Sequence, residues 1–281
     1  MKKKISALVF IRYLLLGALF TVCFTACPFH DCDHSAISVY SLSDAKKKLA
    51  DHTFYGNKPE NPLTVLVYMD IGDLSQPVSD YLRLIEIIGD SGLYATLQLG
   101  RAKMSGTTVF TSPPLNEAVK GMEKIVGING FPNNTTSIMA DENGKSPFYF
   151  YENLVSVGAG GNYLTNIGDY AFSSCKSLEQ IDAGGVKTVG NEAFRGCENL
   201  KRVSLILSEE IGDYAFFDCD EALEWISMYR EPPTLGDSVF LGSTSGSFTL
   251  SIKRAHEGLY RTWLNENASK FNNNGKYYFQ S

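Results

Sequence analysis

Along the carboxyl-terminal half of the chain the apolar positions return in one arrangement at intervals of about 22 residues. Leu178-x-x-Ile181-x-Ala183 is followed by Leu200-x-x-Val203-x-Leu205 and Leu223-x-x-Ile226-x-Met228. The period of two predicts a short strand with one buried face. A second block precedes each strand: Ile167-Gly-Asp-Tyr-Ala-Phe172, Val189-Gly-Asn-Glu-Ala-Phe194 and Ile211-Gly-Asp-Tyr-Ala-Phe216. A cysteine stands three residues after each Phe, at Cys175, Cys197 and Cys219. That spacing predicts a single helical turn.

One unit is therefore strand, turn, short helix, turn. The units run 167–188, 189–210 and 211–234, and a degenerate fourth opens at Leu235-Gly-Asp-Ser-Val-Phe240. A unit of this size cannot bury its apolar face alone and stacks on its neighbours. The predicted fold is an α/β solenoid with a concave parallel β-sheet, short helices on the convex side and a cap at each end.

The motif Ile-Gly-x-x-Ala-Phe-x-x-Cys-x-x-Leu-x-x-Ile resembles the BspA-like leucine-rich repeat of bacterial surface proteins, treponemal leucine-rich repeat lipoproteins among them. It departs from the commonest leucine-rich repeat in having Cys but no Asn at the turn, and no Pro after the strand. The resemblance implies a protein-binding or adhesive role. It assigns residues 167–246 to regular repeats.

The flanks are less periodic. Ser43-Asp-Ala-Lys-Lys-Lys-Leu-Ala50 predicts a capped amphipathic helix, and Leu63 to Tyr68 a strand. Pro77 to Ile88 predicts a second helix with Tyr81, Leu82, Leu84, Ile85 and Ile88 apolar. Leu97-Gln-Leu99, Ile128-Asn-Gly130 and Val157-Gly-Ala159 mimic the strand core, which places diverged repeats over residues 95–166. Such repeats often carry a helix-bearing leader, so residues 37–94 are expected to form an amino-terminal cap with irregular first coils. An independent amino-terminal domain is the alternative. Residues 247–281 are expected to form the closing cap: a last strand at Ser247–Ile252, a helix over 255–263 covering the final coil with Leu259, Tyr260 and Trp263, a turn at Asn272-Asn-Asn-Gly275, and a short extra strand at 277–279.

The first residues are of another kind. Lys2, Lys3 and Lys4 precede an apolar run from Ile5 to Phe24 that only Arg12 interrupts, as in a secretory signal. Phe24-Thr-Ala-Cys27 resembles a relaxed lipobox, implying cleavage of a signal peptide of residues 1–26 and a diacylglyceryl group on Cys27. An uncleaved transmembrane anchor or an ordinary signal peptide are the alternatives. Each exports the domain, and the lipoprotein reading anchors it by lipid in the bacterial envelope, on its periplasmic face or at the cell surface. Residues 27–36 then form a tether.

Charge and chemistry narrow the function. Hydrophobic residues make up 44% of the 281, ample for a core. Without residues 1–26 the formal charge of −6 becomes −10, which argues against nucleic acid as a partner. His30-Asp-Cys-Asp-His34 crowds its donors without the spacing of a closed metal site, and reads as a polar spacer with Cys32 available for an intermolecular disulfide. Asp141-Glu-Asn-Gly-Lys145 lacks the spaced ligands of a calcium loop and reads as a turn, as does Gly158-Ala-Gly-Gly161. The repeat thiols stack inward as small apolar groups. No nucleophile, metal or phosphate motif accompanies the four His, so the chain is not read as an enzyme, and no cofactor beyond the lipid is expected.

What remains is the concave face. If Ile181 and Ala183, Val203 and Leu205, and Ile226 and Met228 point inward, the residues between and beside them point out. They form three columns: Gln180, Arg202, Trp225; Asp182, Ser204, Ser227; and Gly184, Ile206, Tyr229. The amino-terminal side of the face offers only Ser156, Gly158 and Gly160. Trp, Tyr and Arg dominate interface energetics, so a protein partner is expected on Gln180, Asp182, Arg202, Ser204, Ile206, Trp225, Ser227 and Tyr229. The alternatives are a hydrophobic ligand in a pocket formed by Trp225, Ile206 and Met228, and homo-oligomeric association as a structural envelope protein.

Overall fold

The computed structural model describes residues 35–52, 55–159, 163–219, 223–242, 247–271 and 276–280, and all of them belong to one compact unit. Ten parallel strands make one sheet, each beside the next to follow along the chain: Ala36–Val39, Leu63–Val67, Ala95–Gln98, Ile125–Asn129, Ser156–Gly158, Gln180–Asp182, Arg202–Ser204, Trp225–Met228, Ser247–Ile252 and Lys276–Gln280. Six strands of two residues each, from Val109–Phe110 to Thr234–Leu235, make a second parallel sheet. The fold is an α/β leucine-rich-repeat solenoid.

Register follows from burial. Val65, Leu97, Ile128, Val157, Ile181, Val203, Ile226 and Leu250 stand side by side across the large sheet. All are buried. A slip of one residue would send this entire set to solvent, which is why the register holds through coils of unequal length.

The repeated Phe builds a second column inside. Phe148, Phe172, Phe194, Phe216, Phe240 and Phe271 stack ring on ring, with centroids 4.9, 5.2, 5.0, 5.3 and 5.0 Å apart and planes within 12° of parallel. Each ring is sandwiched by the two adjoining coils, so a single coil has no means of burying it. The thiols form a third column. Cys197 Sγ lies 3.1 Å from the Phe172 carbonyl oxygen and Cys219 Sγ 3.0 Å from that of Phe194, while Cys175 Sγ meets Ser146 Oγ at 3.6 Å.

The glycines of the later blocks, Gly190, Gly212 and Gly236, have a specific cause. Asp169 Oδ1 accepts from the Asn191 backbone N–H at 2.7 Å, Asn191 Oδ1 from that of Asp213 at 2.8 Å, and Asp213 Oδ1 from that of Asp237 at 2.6 Å. Each side chain reaches one coil onward and lies where a Cβ would project. A methyl at Gly212 would stand 2.7 Å from Asn191 Oδ1, nearer than such contacts come.

The convex segments differ from the expected helical turn. Tyr170, Glu192, Tyr214 and Ser238, at one equivalent point of four coils, have φ of 57°, 52°, 53° and 53°. A left-handed residue there stops an α-helix from propagating. The freed N–H groups turn outward along the stack: Tyr170, Phe172 and Ser174 donate to the carbonyls of Asn191, Ala193 and Arg195. The regular coils therefore carry ladders of turns, and among the described residues the α-helices lie at Leu42–Ala50, Asp80–Ser91 and Glu257–Glu266.

The first helix is capped two residues earlier than its sequence suggests, by Ser41, whose side chain accepts from the Asp44 N–H. The second runs from Asp80, capped by Ser79, to Ser91, and buries Tyr81, Leu82, Leu84, Ile85 and Ile88 as its apolar spacing predicts. At the other end Tyr260, Trp263 and Leu264 are buried, with Trp263 Nε1 donating to the Pro233 carbonyl at 2.7 Å. Leu259, expected to cover the final coil, is instead 51% exposed, because the covering face steps by three and four from Tyr260. The short extra strand expected at 277–279 forms as Lys276–Gln280 and pairs alongside Ser247–Ile252. The 272–275 turn lies outside the described residues.

Candidate functional site

The large sheet brings the eight candidate residues of the concave face together. Gln180, Arg202 and Trp225 share one register row, and Asp182, Ser204 and Ser227 the row two residues on. Adjacent strands lie roughly 4.8 Å apart, so each row is a line of neighbouring side chains. Gln180, Asp182 and Arg202 are exposed, whereas Ser204, Trp225 and Ser227 are half-buried. Trp225 is fixed: its Nε1 donates to Ser227 Oγ at 2.8 Å, tying the two rows together. Asp182 is held by the Gly184 N–H, which it accepts at 3.2 Å.

The third row lies beyond the strands. Ile206 is half-buried beside Gly184, where a Cβ would meet its Cδ1 at 3.3 Å, and its carbonyl accepts from the Tyr229 N–H. Tyr229 is half-buried and walls a groove of 570 Å³ lined also by Ser208, Glu209, Arg230, Glu231, Lys253 and His256. Arg230 pairs with Glu209 at 3.0 Å, and His256 Nδ1 lies 3.0 Å from the Arg230 carbonyl. This lining is polar and of both signs. Trp225 is not among the residues lining this groove, and Met228 is 2% exposed and packs into the core.

Strand register alone would have extended the site by one coil. Thr249 stands beside Trp225 and Ser251 beside Ser227, one half-buried and the other 7% exposed. Toward the amino terminus the same two rows continue through Ser156, Gly127, Thr96 and Thr64, and through Gly158, Asn129, Gln98 and Leu66. That part of the face is uncharged. The groove residues Arg230, Lys253 and His256 lie beyond their strands, the first two in irregular chain and the last in the 3₁₀ turn Arg254–His256, where alternation gives no signal.

The chemistry elsewhere is quiet. Burial pushes the Cys175 thiol up to about 12 and holds Cys197 well above the ordinary thiol range, so both are neutral packing groups. Asp141 closes a turn by accepting from the Asn143 and Lys145 N–H groups. Among the described residues no group of three or more His, Cys, Asp and Glu is placed to hold a metal ion, and no helix is long and apolar enough to cross a membrane. Cys27, the His30–His34 run and Gly160 lie outside the described residues.

Residues 123–256 match the model of the BspA type leucine-rich repeat region, with six copies. No curated protein matches the chain. Among solved structures, a leucine-rich repeat protein from Bacteroides ovatus ATCC 8483 is similar at 20% identity and a TM-score of 0.41, over 68% of this chain and 55% of that one. The present chain thus spans about 55% of that relative's length. With the interior columns and the two parallel sheets, the family match identifies residues 123–256 as leucine-rich repeats of the BspA type.

Proposed function

We propose that the protein is an exported, lipid-anchored interaction module that docks another protein on the carboxyl-terminal part of its concave sheet. Leucine-rich repeat proteins commonly bind proteins, and the coarse assignment rests on that family. The observation carrying the finer one is the two-row surface of Gln180, Arg202, Trp225 and Asp182, Ser204, Ser227, in which the indole is pinned to Ser227 at 2.8 Å. A large side chain immobilised before binding loses little entropy on contact, and this is what makes aromatic residues strong anchors. Tyr229 extends the surface at one end. The anchor is supported by the sequence before Cys27, and adhesion is the role to which such a module, tethered by residues 27–36, is suited.

The test uses the full chain. Trp225→Ala and Tyr229→Ala should abolish capture of a protein partner from envelope extracts while leaving the circular dichroism unchanged. Undiminished capture would place the docking surface elsewhere. In the same preparations Cys27→Ala should move the protein out of the detergent phase, and retention there would refute the lipid anchor.

A further inference from the structure

We infer that the concave face selects a protein segment carrying a carboxylate, and that Arg202 is the residue that reads it. This rests on the docking surface proposed above and adds the chemistry of the partner. The two outward rows contain Thr64, Thr96, Gly127, Ser156, Gln180, Arg202, Trp225 and Thr249 in one, and Leu66, Gln98, Asn129, Gly158, Asp182, Ser204, Ser227 and Ser251 in the other. Arg202 and Asp182 are the charged residues among them. The remaining positions are neutral, so each of these two charges stands out against an otherwise unremarkable surface.

Their states differ from those of charges elsewhere on the repeats. Arg195 is paired with Glu192 at 2.5 Å, Arg230 with Glu209 at 3.0 Å, Lys176 with Glu198 at 2.7 Å and Lys201 with Glu179 at 3.1 Å. Arg202 is exposed, and among the described residues its side chain has no hydrogen-bond or ion-pair partner. Its five donors form a planar fork that matches a carboxylate in two parallel bonds. On one side stands Gln180, a further amide donor, and on the other Trp225. Because the Trp225 N–H is already used on Ser227, the indole offers carbon surface, suited to an apolar residue next to the acid.

Asp182 gives the arrangement its direction. It lies one strand away and two residues further along, and its repulsion keeps a partner's carboxylate at Arg202 and off the neighbouring row. The same pair excludes a polyanion. A nucleic-acid or polyphosphate strand needs several cations along its path, whereas these rows present one cation and one anion.

The experiment pans the full chain, held in detergent micelles, against a displayed library of random peptides. The native face should enrich peptides bearing Asp or Glu beside an apolar residue. Arg202→Gln should weaken them about tenfold or more, and Arg202→Glu should reverse the preference toward Lys and Arg. Absence of acidic enrichment, or acidic peptides that bind Arg202→Gln as well as the native chain, would overturn the assignment. Trp225→Ala separates the two levels. If it abolishes binding while Arg202→Gln does not, the docking surface stands and the carboxylate reading falls; if it leaves binding intact, the docking surface itself is wrong. Circular dichroism of each variant guards against misfolding.

Discussion

The regular coils from Ile167 to Phe240 and the coils that precede them support one sheet by different means. In the regular part, what lies behind the sheet is shared between coils: a stacked ring, a carboxylate or amide reaching one coil onward, and backbone N–H groups that donate to the next turn. In the earlier part, the helix Asp80–Ser91 satisfies its own backbone, and its apolar face packs through Tyr81 on Phe110 and on Tyr151, which donates to the Tyr81 hydroxyl at 3.1 Å. Repetition thus exchanges self-sufficient elements for mutual ones. A helix tolerates an irregular neighbour, and a ladder does not.

The largest expected effect lies in the ring column. Phe194→Ala removes the middle of the stack and should cost about 3–5 kcal/mol, against about 2–5 kcal/mol for Ile85→Ala in the helix. Denaturant titration gives the two losses, and hydrogen exchange separates them. Phe194→Ala should deprotect the coils on both sides, while Ile85→Ala should act mainly within its own helix. Equal spreading from both would erase the distinction between mutual and local support.

Next come the glycines. Gly212→Ala forces a methyl against Asn191 and the Gly190 backbone and should cost about 1–3 kcal/mol. Gly100→Ala, where a Cβ meets nothing within 4 Å, should leave stability unchanged or raise it by up to about 1 kcal/mol. A harmless Gly212→Ala, read from the same titration, would mean that the side-chain ladder yields easily.

The smallest effect is a drift with alkali. The folded Cys175 thiol keeps its proton to about 12, whereas its unfolded counterpart ionises near 9.0, so the unfolded state binds fewer protons in that interval. Its contribution is whole below 9 and is lost as the pH climbs, by about 1 kcal/mol per unit. Tyr81 and Tyr151 are raised from 10.0 by burial, so the helix region should begin to lose stability later than the thiol column. The urea midpoint as a function of pH, native against Cys175→Ala, checks the order. An unaltered profile in the variant would show that another group sets the drift.

The interior columns were legible in the sequence because burial and period coincide: Ile181, Val203 and Ile226 recur where the pleat turns inward, and Leu97, Ile128 and Val157 fall in the same row despite longer coils. The convex side was not. Nothing in Tyr170 or Glu192 announces a positive φ, since the conformation is held by bonds to the next coil and not by the residue's own preference. The first helix, expected to start at Ser43, is capped instead by Ser41, because the Ser41 side chain is the one that reaches the Asp44 N–H. On the concave face the rows were readable from alternation, but the bond from Trp225 to Ser227 depends on the rotamer the indole takes along its own strand, and the groove beside Tyr229 on packing between coils distant in sequence.

The side-chain ladder of Asp169, Asn191 and Asp213 runs in one sense only, each member giving its oxygen to the following coil and receiving nothing in return from it along that path. Every coil thus offers the same socket to its successor that it occupies on its predecessor. A duplicated or deleted unit finds its fittings already cut, and the ladder closes over the change. The scaffold can lengthen or shorten in whole coils, adding or removing one side chain per row of the concave face, while the chemistry of each new position remains free to drift.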